Sequence, residues 1–355
     1  CYAYWRLGGA LNGLTVEERI TAGHFLCTSQ GVDIAGKENY SDPVLEQIKP
    51  EWNASLHLSI PEKFALITGN SNAWETESKK IFPWLDELSH GIDPDQFLRS
   101  FFIQPDLFLR ARPGKEKQVT TKLSNAGVAF EHISPSAFAM PNSTKIDDII
   151  TLNTEAVVQD LSSQQVTEFL QLIPVPPAGI RLWDCCAGSG GKTILAFDVL
   201  KKVNITVSDK REQILVNLNK RFKEAGIGHY QSLLADMSIG SGRQPAKYNY
   251  DLIMADVPCS GSGTWGRTPE WLHFFDTASI DTYSSLQKKI VTNAILHVVK
   301  GGYFLYITCS VFRKENEEVV ELIRANTELE LVKMEVLKGY HRKADTMFAA
   351  LFTRP

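Results

Sequence analysis

No uninterrupted apolar run in this chain of 355 residues reaches the roughly 18 residues that a membrane helix needs. The longest apolar stretch of the C-terminal half is broken by Lys300, Gly301 and Gly302, so no membrane span is expected. An excess of one charge is also lacking. Thirty-seven Lys and Arg face 41 Asp and Glu, a net of -4, which disfavours a protein that coats nucleic acid. The six cysteines form no Cys-x-x-Cys pair, so neither a zinc ribbon nor a redox couple is suggested. A reduced, cytoplasmic setting without a bound metal is the expectation. No basic-then-apolar leader is expected from the residues given, which start at Cys1, and no internal repeat is found.

What is present is ordinary globular usage, 43% hydrophobic and 22% charged, on a length suited to about two or three domains. The charge is unevenly spread: residues 1–180 carry a net of -8 and residues 181–355 a net of +4. Inside the acidic half lies one basic stretch, Arg110, Arg112, Lys115, Lys117 and Lys122, opposed only by Glu116. A solvated loop and strand explains it as readily as a phosphate-binding surface does.

Residues 1–100 read as helical. Thr15-Val16-Glu17-Glu18 has the form of a capped helix start, and Leu85 and Leu88 stand at helical spacing. Polar breaks near Gly36-Lys37, Gly69-Asn70 and Ser89-His90-Gly91 separate the segments. Residues 101–175 read as a small α/β module: strands at 106–112 and 128–133, a helix at 119–126, and a helix at 162–172 begun by Ser162. The stiff Ile173-Pro-Val-Pro-Pro-Ala-Gly179 segment marks a boundary. From there to residue 355, apolar strands alternate with helices, the pattern of βαβ units in a parallel sheet. Ligands of such sheets sit beyond the carboxyl ends of the strands, where each notable polar cluster of this chain falls.

The first cluster is Asp184-Cys-Cys-Ala-Gly-Ser-Gly-Gly-Lys-Thr193, a glycine turn between a strand and a helix. A phosphate-cradling loop needs glycine where Cys186 stands, and a dinucleotide fingerprint needs one where Thr193 stands. The remaining reading is a Rossmann-like methyltransferase turn, whose glycines let the backbone approach the amino acid part of S-adenosylmethionine. Asp209 and Asp236 end the next two strands, where carboxylates can accept from ribose hydroxyls and an adenine amine. A single Asp at a strand end is often only turn chemistry; three in succession after a glycine turn point to a nucleoside.

Later strands end in Asp256-Val-Pro-Cys259 and Thr308-Cys309-Ser310. Two thiols there suit carbon 5 of a pyrimidine, which is too weak a nucleophile to take a methyl group unaided. Addition of a thiolate to carbon 6 makes it enamine-like, and β-elimination later restores the ring. Asp256 could hydrogen-bond the ring nitrogen and exocyclic amine of cytosine. The competing structural reading makes both cysteines small buried hydrophobes.

Together, Asp184-x-Cys-Ala-x-x-Gly-Gly-Lys-Thr, Asp256-x-Pro-Cys-Ser-Gly-x-Gly and Thr308-Cys-Ser resemble the RNA cytosine-5 methyltransferases of the Sun/NSUN family, most of all its bacterial ribosomal RNA members. The resemblance runs from about Asp106 to the end, and the closing Met347–Phe352 looks like the family's terminal strand. It implies Cys309 as nucleophile and Cys259 as the group assisting adduct breakdown. It also implies that Cys186, Ala187, Gly188, Ser189, Gly190, Gly191, Lys192, Asp209 and Asp236 hold S-adenosylmethionine, with Asp256 between cofactor and base. Gly188-Ser189 replaces the family's usual Ala-Pro, a turn with less built-in stiffness.

The expected architecture is thus α/β: a Rossmann-like catalytic domain at 176–355, a small RNA-binding module at 101–175 and a helical domain at 1–100. The expected partner is RNA, held by Arg110, Arg112, Lys115, Lys117 and Lys122 of the small module, and the expected state a monomer. Two other functions stay open at this point: amine methylation of nucleic acid or protein through Asp256-Val-Pro, and a catalytically weak RNA-binding assembly factor.

Overall fold

Thr15 opens the Val16–Cys27 helix with a full capping box, in which its hydroxyl accepts from Glu18 N–H while the Glu18 side chain accepts from Thr15 N–H. The computed structural model describes residues 2–28, 41–239 and 249–355; the expected break at Gly36-Lys37 lies outside them. The break at Gly69 ends the Ile60–Thr68 helix as its cap, and the Leu85 spacing forms only a single 3-10 turn, Leu85–Glu87.

By contacts the chain groups into two units. The first holds Cys1–Leu88, Ile92–Pro105 and Thr264–Asp276. Its helices pack around buried Phe25, Phe64, Phe82, Phe101 and Trp265. Thr264–Asp276 comes from the middle of the span read as catalytic, and it joins this unit through Trp265, whose ring centre lies 5.7 Å from that of Phe82.

The second unit holds Ser89–Gly91, Asp106–Gly263 and Thr277–Pro355, and it contains two sheets. The smaller is antiparallel and is built from β1 (Leu107–Ala111), β2 (Glu131–His132), β3 (Ala137–Met140) and β4 (Ala156–Val158) in the order β2-β3-β1-β4. The Glu116–Asn125 helix covers it with Val119 and Leu123. Three local readings change here. That helix begins before Val119, the second strand shrinks to two residues, and Asp160 rather than Ser162 caps the following helix by accepting from Ser162 N–H at 2.9 Å.

The larger sheet comprises β5 (Ile180–Asp184), β6 (Val203–Asp209), β7 (Tyr230–Leu234), β8 (Tyr250–Asp256), β9 (Val298–Thr308), β10 (Glu330–Leu337) and β11 (Met347–Thr353). Their order is β10-β11-β9-β8-β5-β6-β7. The five from β5 to β9 run parallel, and β11 lies antiparallel between β9 and β10. This is the Rossmann-like α/β architecture expected. Central strands are buried on both faces, so they read as continuous apolar runs. In β8, Leu252 and Met254 enter one core and Ile253 and Ala255 the other. The chain builds outward from β5 in one direction and from β8 in the other. The reversal opens a crevice above their carboxyl ends.

Candidate active site

The floor of the crevice is the turn after β5. Asp184 is buried and accepts from Thr193 Oγ1 at 2.6 Å, which ties the strand end to the Gly191–Leu200 helix. Burial pushes the Asp184 carboxyl up to about 7 against the opposing pull of that hydrogen bond. Ala187 N–H donates to Ser208 O at 2.9 Å and Gly188 N–H to Asp209 Oδ2 at 3.0 Å, so the turn is hung from β6. Gly190 has φ of +83°, and a Cβ there would meet the Phe222 ring at 2.5 Å. A side chain there would strain the backbone and force the buried Phe222 ring to move. Ser189 is held from the far side, because Arg221 Nη1 donates to its hydroxyl at 2.8 Å and to its carbonyl at 3.2 Å.

Asp209 is 5% exposed and accepts from the backbone N–H and the guanidinium of Arg211 at 2.9–3.0 Å. Burial alone would raise its carboxyl, but Arg211 and Gly188 N–H outweigh that and hold it below the usual range. Asp236 accepts from Ser238 Oγ at 2.6 Å and from Ser238 N–H at 2.9 Å, which lowers it likewise.

The wall opposite is formed by the ends of β8 and β9. Lys192 Nζ stands 2.6 Å from Asp256 Oδ2. Burial disfavours the Lys192 charge, but Asp256 overcomes it and the ammonium is held above its ordinary range. Cys259 Sγ and Cys309 Sγ are 3.1 Å apart, as free thiols. Cys259 is pushed well up by its hydrogen bond to Cys309, by burial and by the charges of Cys309 and Glu315. Gly263 clamps this region, for a Cβ there would lie 1.8 Å from Thr346 O.

One cavity of about 390 Å³ is lined by Cys186, Gly188, Asp209, Asp236, Asp256, Cys259 and Cys309, with apolar Met237, Val257, Leu286 and Ile290. That volume falls in the range of small-molecule sites. Ala187, Ser189, Gly190, Gly191 and Lys192 belong to the same turn without lining the cavity. The crevice therefore brings Cys186, Gly188, Asp209, Asp236, Asp256, Cys259 and Cys309 around one space.

The basic stretch divides instead of forming one surface. Arg110 and Arg112 are 5% and 8% exposed, and both pair with Asp198 at 2.7 Å. Arg112 also donates to the carbonyls of Asn153 and Ala225. They are corrected from RNA ligands to a buried link between the small sheet and the Gly191–Leu200 helix. The reason is strand alternation combined with a carboxylate on a facing helix. Lys122 pairs with Glu155 at 2.8 Å; Lys117 is exposed and Lys115 partly so.

Sequence reasoning missed Arg211, Arg221, Tyr283, Gln287 and Glu315. Glu315 sits in a Lys-Glu-Asn-Glu-Glu run that reads as a solvated helix start, yet it is 0% exposed. Among the described residues no group of His, Cys, Asp and Glu could hold a metal ion. No helix there is long and apolar enough to cross a membrane.

Comparison with known proteins places this geometry. Residues 172–352 match the family model for the 16S rRNA methyltransferase RsmB/F. The ribosomal RNA small subunit methyltransferase B of Yersinia enterocolitica is 28% identical over 191 residues, covering 52% of this chain and 42% of that protein. Its namesake in Klebsiella pneumoniae is 30% identical over 174 residues, covering 48% of this chain and 38% of that protein. The chain thus spans less than half the length of these relatives. Among solved structures, PH0851 superposes with a TM-score of 0.69 at 21% identity, covering 96% of this chain and 82% of its own. NSun6 from Pyrococcus horikoshii with SFG gives 0.63 at 14% identity, covering 78% of this chain and 96% of its own. At these identities the likeness speaks for the fold.

Proposed function

The chain belongs to the RsmB/F family of 16S rRNA methyltransferases, and from that premise we propose that it methylates carbon 5 of a cytosine in ribosomal RNA through a covalent cysteine adduct. The observation that carries this reading is the pair of thiols 3.1 Å apart at the ends of adjacent parallel strands. They face the same cavity as Asp256 and the glycine turn. An amine acceptor needs no thiol, let alone two.

S-adenosylmethionine fits the crevice. A carboxylate stands at each of the β6 and β7 ends, Gly188 offers open space where a Cβ would meet nothing within 4 Å, and the walls are apolar. The likeness to a structure with SFG, an analogue of that cofactor, supports the same reading. Asp209 would take the ribose hydroxyls once the half-exposed Arg211 side chain swings aside, Asp236 would face the adenine, and the 186–191 turn the methionine end. When bound, the cofactor supplies an electrophilic methyl group.

The chain's own residues do the rest. The Cys309 thiolate adds to carbon 6 of an extruded cytosine, forming a C–S bond and moving the ring's electron pair toward carbon 5. Asp256, steadied by Lys192, accepts a hydrogen bond from the exocyclic amine of the base and so orients the ring for attack. Cys259 first donates a hydrogen bond to the Cys309 thiolate. Once Cys309 is bonded to carbon, that charge is gone and the chief cause of the raised Cys259 pKa goes with it. Cys259 can then pass its own proton to solvent water and, as the thiolate, accept the carbon 5 proton. The C–H electrons re-form the ring double bond and the Cys309 thiolate leaves.

Lys115 and Lys117 of the small module are the proposed phosphate contacts. The names of the relatives support ribosomal RNA as substrate, and with it a cytoplasmic place of work.

The test combines two variants with mass spectrometry of RNA. Cys309→Ala is expected to abolish formation of 5-methylcytosine, and Cys259→Ala to accumulate a protein–RNA adduct stable on denaturing gels. Full activity of both variants would sink the cysteine mechanism and favour amine methylation.

A further inference from the structure

Behind the two thiols lies a carboxylate that the reaction above does not use. Glu315 is 0% exposed and is satisfied by neutral donors. Its Oε2 accepts from Ser260 N–H at 2.9 Å and from Gln287 Nε2 at 2.8 Å, and its Oε1 from Ser310 Oγ at 2.8 Å. Ser260 follows Cys259 in the chain and Ser310 follows Cys309. One side chain thus ties down both thiol-bearing loops. Gln287 also donates to Pro258 O at 3.1 Å, fastening the residue before Cys259. The Glu315 backbone carbonyl accepts from the buried Tyr306 hydroxyl at 2.6 Å. A buried carboxylate without a cationic partner is costly unless hydrogen bonds replace its water, and here each of those bonds leads to one of the two loops or to their support.

The charges around the thiols are unequally placed. Among the described residues, Cys309 and Glu315 raise Cys259, Tyr283 and Tyr306 respond to it, and Gly261 N–H pulls the other way. The Lys192 ammonium interacts with Cys309 and Asp256. Glu315 therefore opposes negative charge at Cys259, while the Lys192 ammonium stands with Cys309 and Asp256. Burial raises the Glu315 carboxyl above its ordinary range, and the three donors, which favour its ionised form, offset that only in part.

We propose that Glu315 is a positioning residue that sets the separation of the two thiols and confines the thiolate to Cys309, leaving Cys259 as the proton carrier. The proposal rests on the cysteine mechanism above, and it divides that labour by geometry: two loops held by one buried charge.

The test uses the full chain without RNA. Iodoacetamide labelling of each cysteine is followed by peptide mass spectrometry across pH, in the wild type and in Glu315→Gln. The Gln variant is expected to lower the pH midpoint for Cys259 labelling by about one unit or more and to weaken the preference for Cys309. Unchanged midpoints and preference in a folded Gln variant would overturn the proposal. Should that variant not fold, Glu315→Asp keeps the charge but falls one methylene short of a loop. Diamide should then join Cys259 to Cys309 roughly tenfold more slowly or worse than in the wild type, since small misplacements carry such costs; an unchanged rate overturns the positioning role. Neither readout involves methyl transfer, so a failed search for 5-methylcytosine would count against the function and not against Glu315.

Discussion

The ammonium of Lys192 lies 2.6 Å from a carboxylate oxygen of Asp256, joining the helix that follows the glycine turn to the end of β8. The link reaches across the point where the order of the sheet reverses. Lys192 comes from the glycine-turn side of the crevice and Asp256 from the side that carries the thiols. One ion pair therefore holds the relative placement of the glycine turn and the β8 end.

Replacing Asp256 by Asn keeps its shape and removes the charge. It is expected to lower kcat by roughly 10², the cost of a base misplaced by about an ångström, while the affinity for S-adenosylmethionine stays within a few-fold of wild type. Steady-state kinetics together with cofactor titration separate these quantities. A variant that keeps kcat within threefold would remove Asp256 from the reaction.

The divided basic stretch predicts opposite behaviour for its two halves. Asp198→Ala leaves Arg110 and Arg112 buried without their shared carboxylate, at a cost of about 3–5 kcal/mol in urea unfolding. Lys117→Ala should leave stability unchanged and reduce the slope of log affinity against log salt for RNA by about one. An unaltered slope would move the RNA surface elsewhere.

Asp184 predicts a pH dependence of stability. Its folded carboxyl is raised to about 7 from an ordinary 3.8, so between these values the folded state binds a proton that the unfolded state lacks. Its contribution is fully present below the lower value and is lost as pH rises through the higher one, by at most about 1.4 kcal/mol per unit. Asp184→Asn should therefore gain on the wild type between pH 5 and pH 8 in thermal unfolding. Parallel curves for the two proteins would refute the assignment.

Much of the catalytic half was legible because its signals are local. Apolar runs long enough for strands, the turn at 186–191 and carboxylates at strand ends all follow from neighbouring residues. The capping box at Thr15 was legible for the same reason. Arg110 and Arg112 misled because a charge on a strand looks alike in sequence whether it meets water or Asp198, 86 positions beyond Arg112. Glu315 was missed for the converse reason: a carboxylate in a charged run looks solvated until Ser260, Gln287 and Ser310 close over it.

The charge balance that first argued against nucleic acid was a sum over the chain, and phosphate contacts depend on local charge. By itself the sequence determined the Rossmann-like sheet, the glycine turn and the presence of two thiols at strand ends, since periodicity and steric demand act over a few residues. Tertiary structure alone decided that the thiols stand 3.1 Å apart, that Lys192 meets Asp256, and that two arginines face inward. Each of these is a contact between segments distant in the chain, and only the packing of the sheet and its helices sets which side chains share a space.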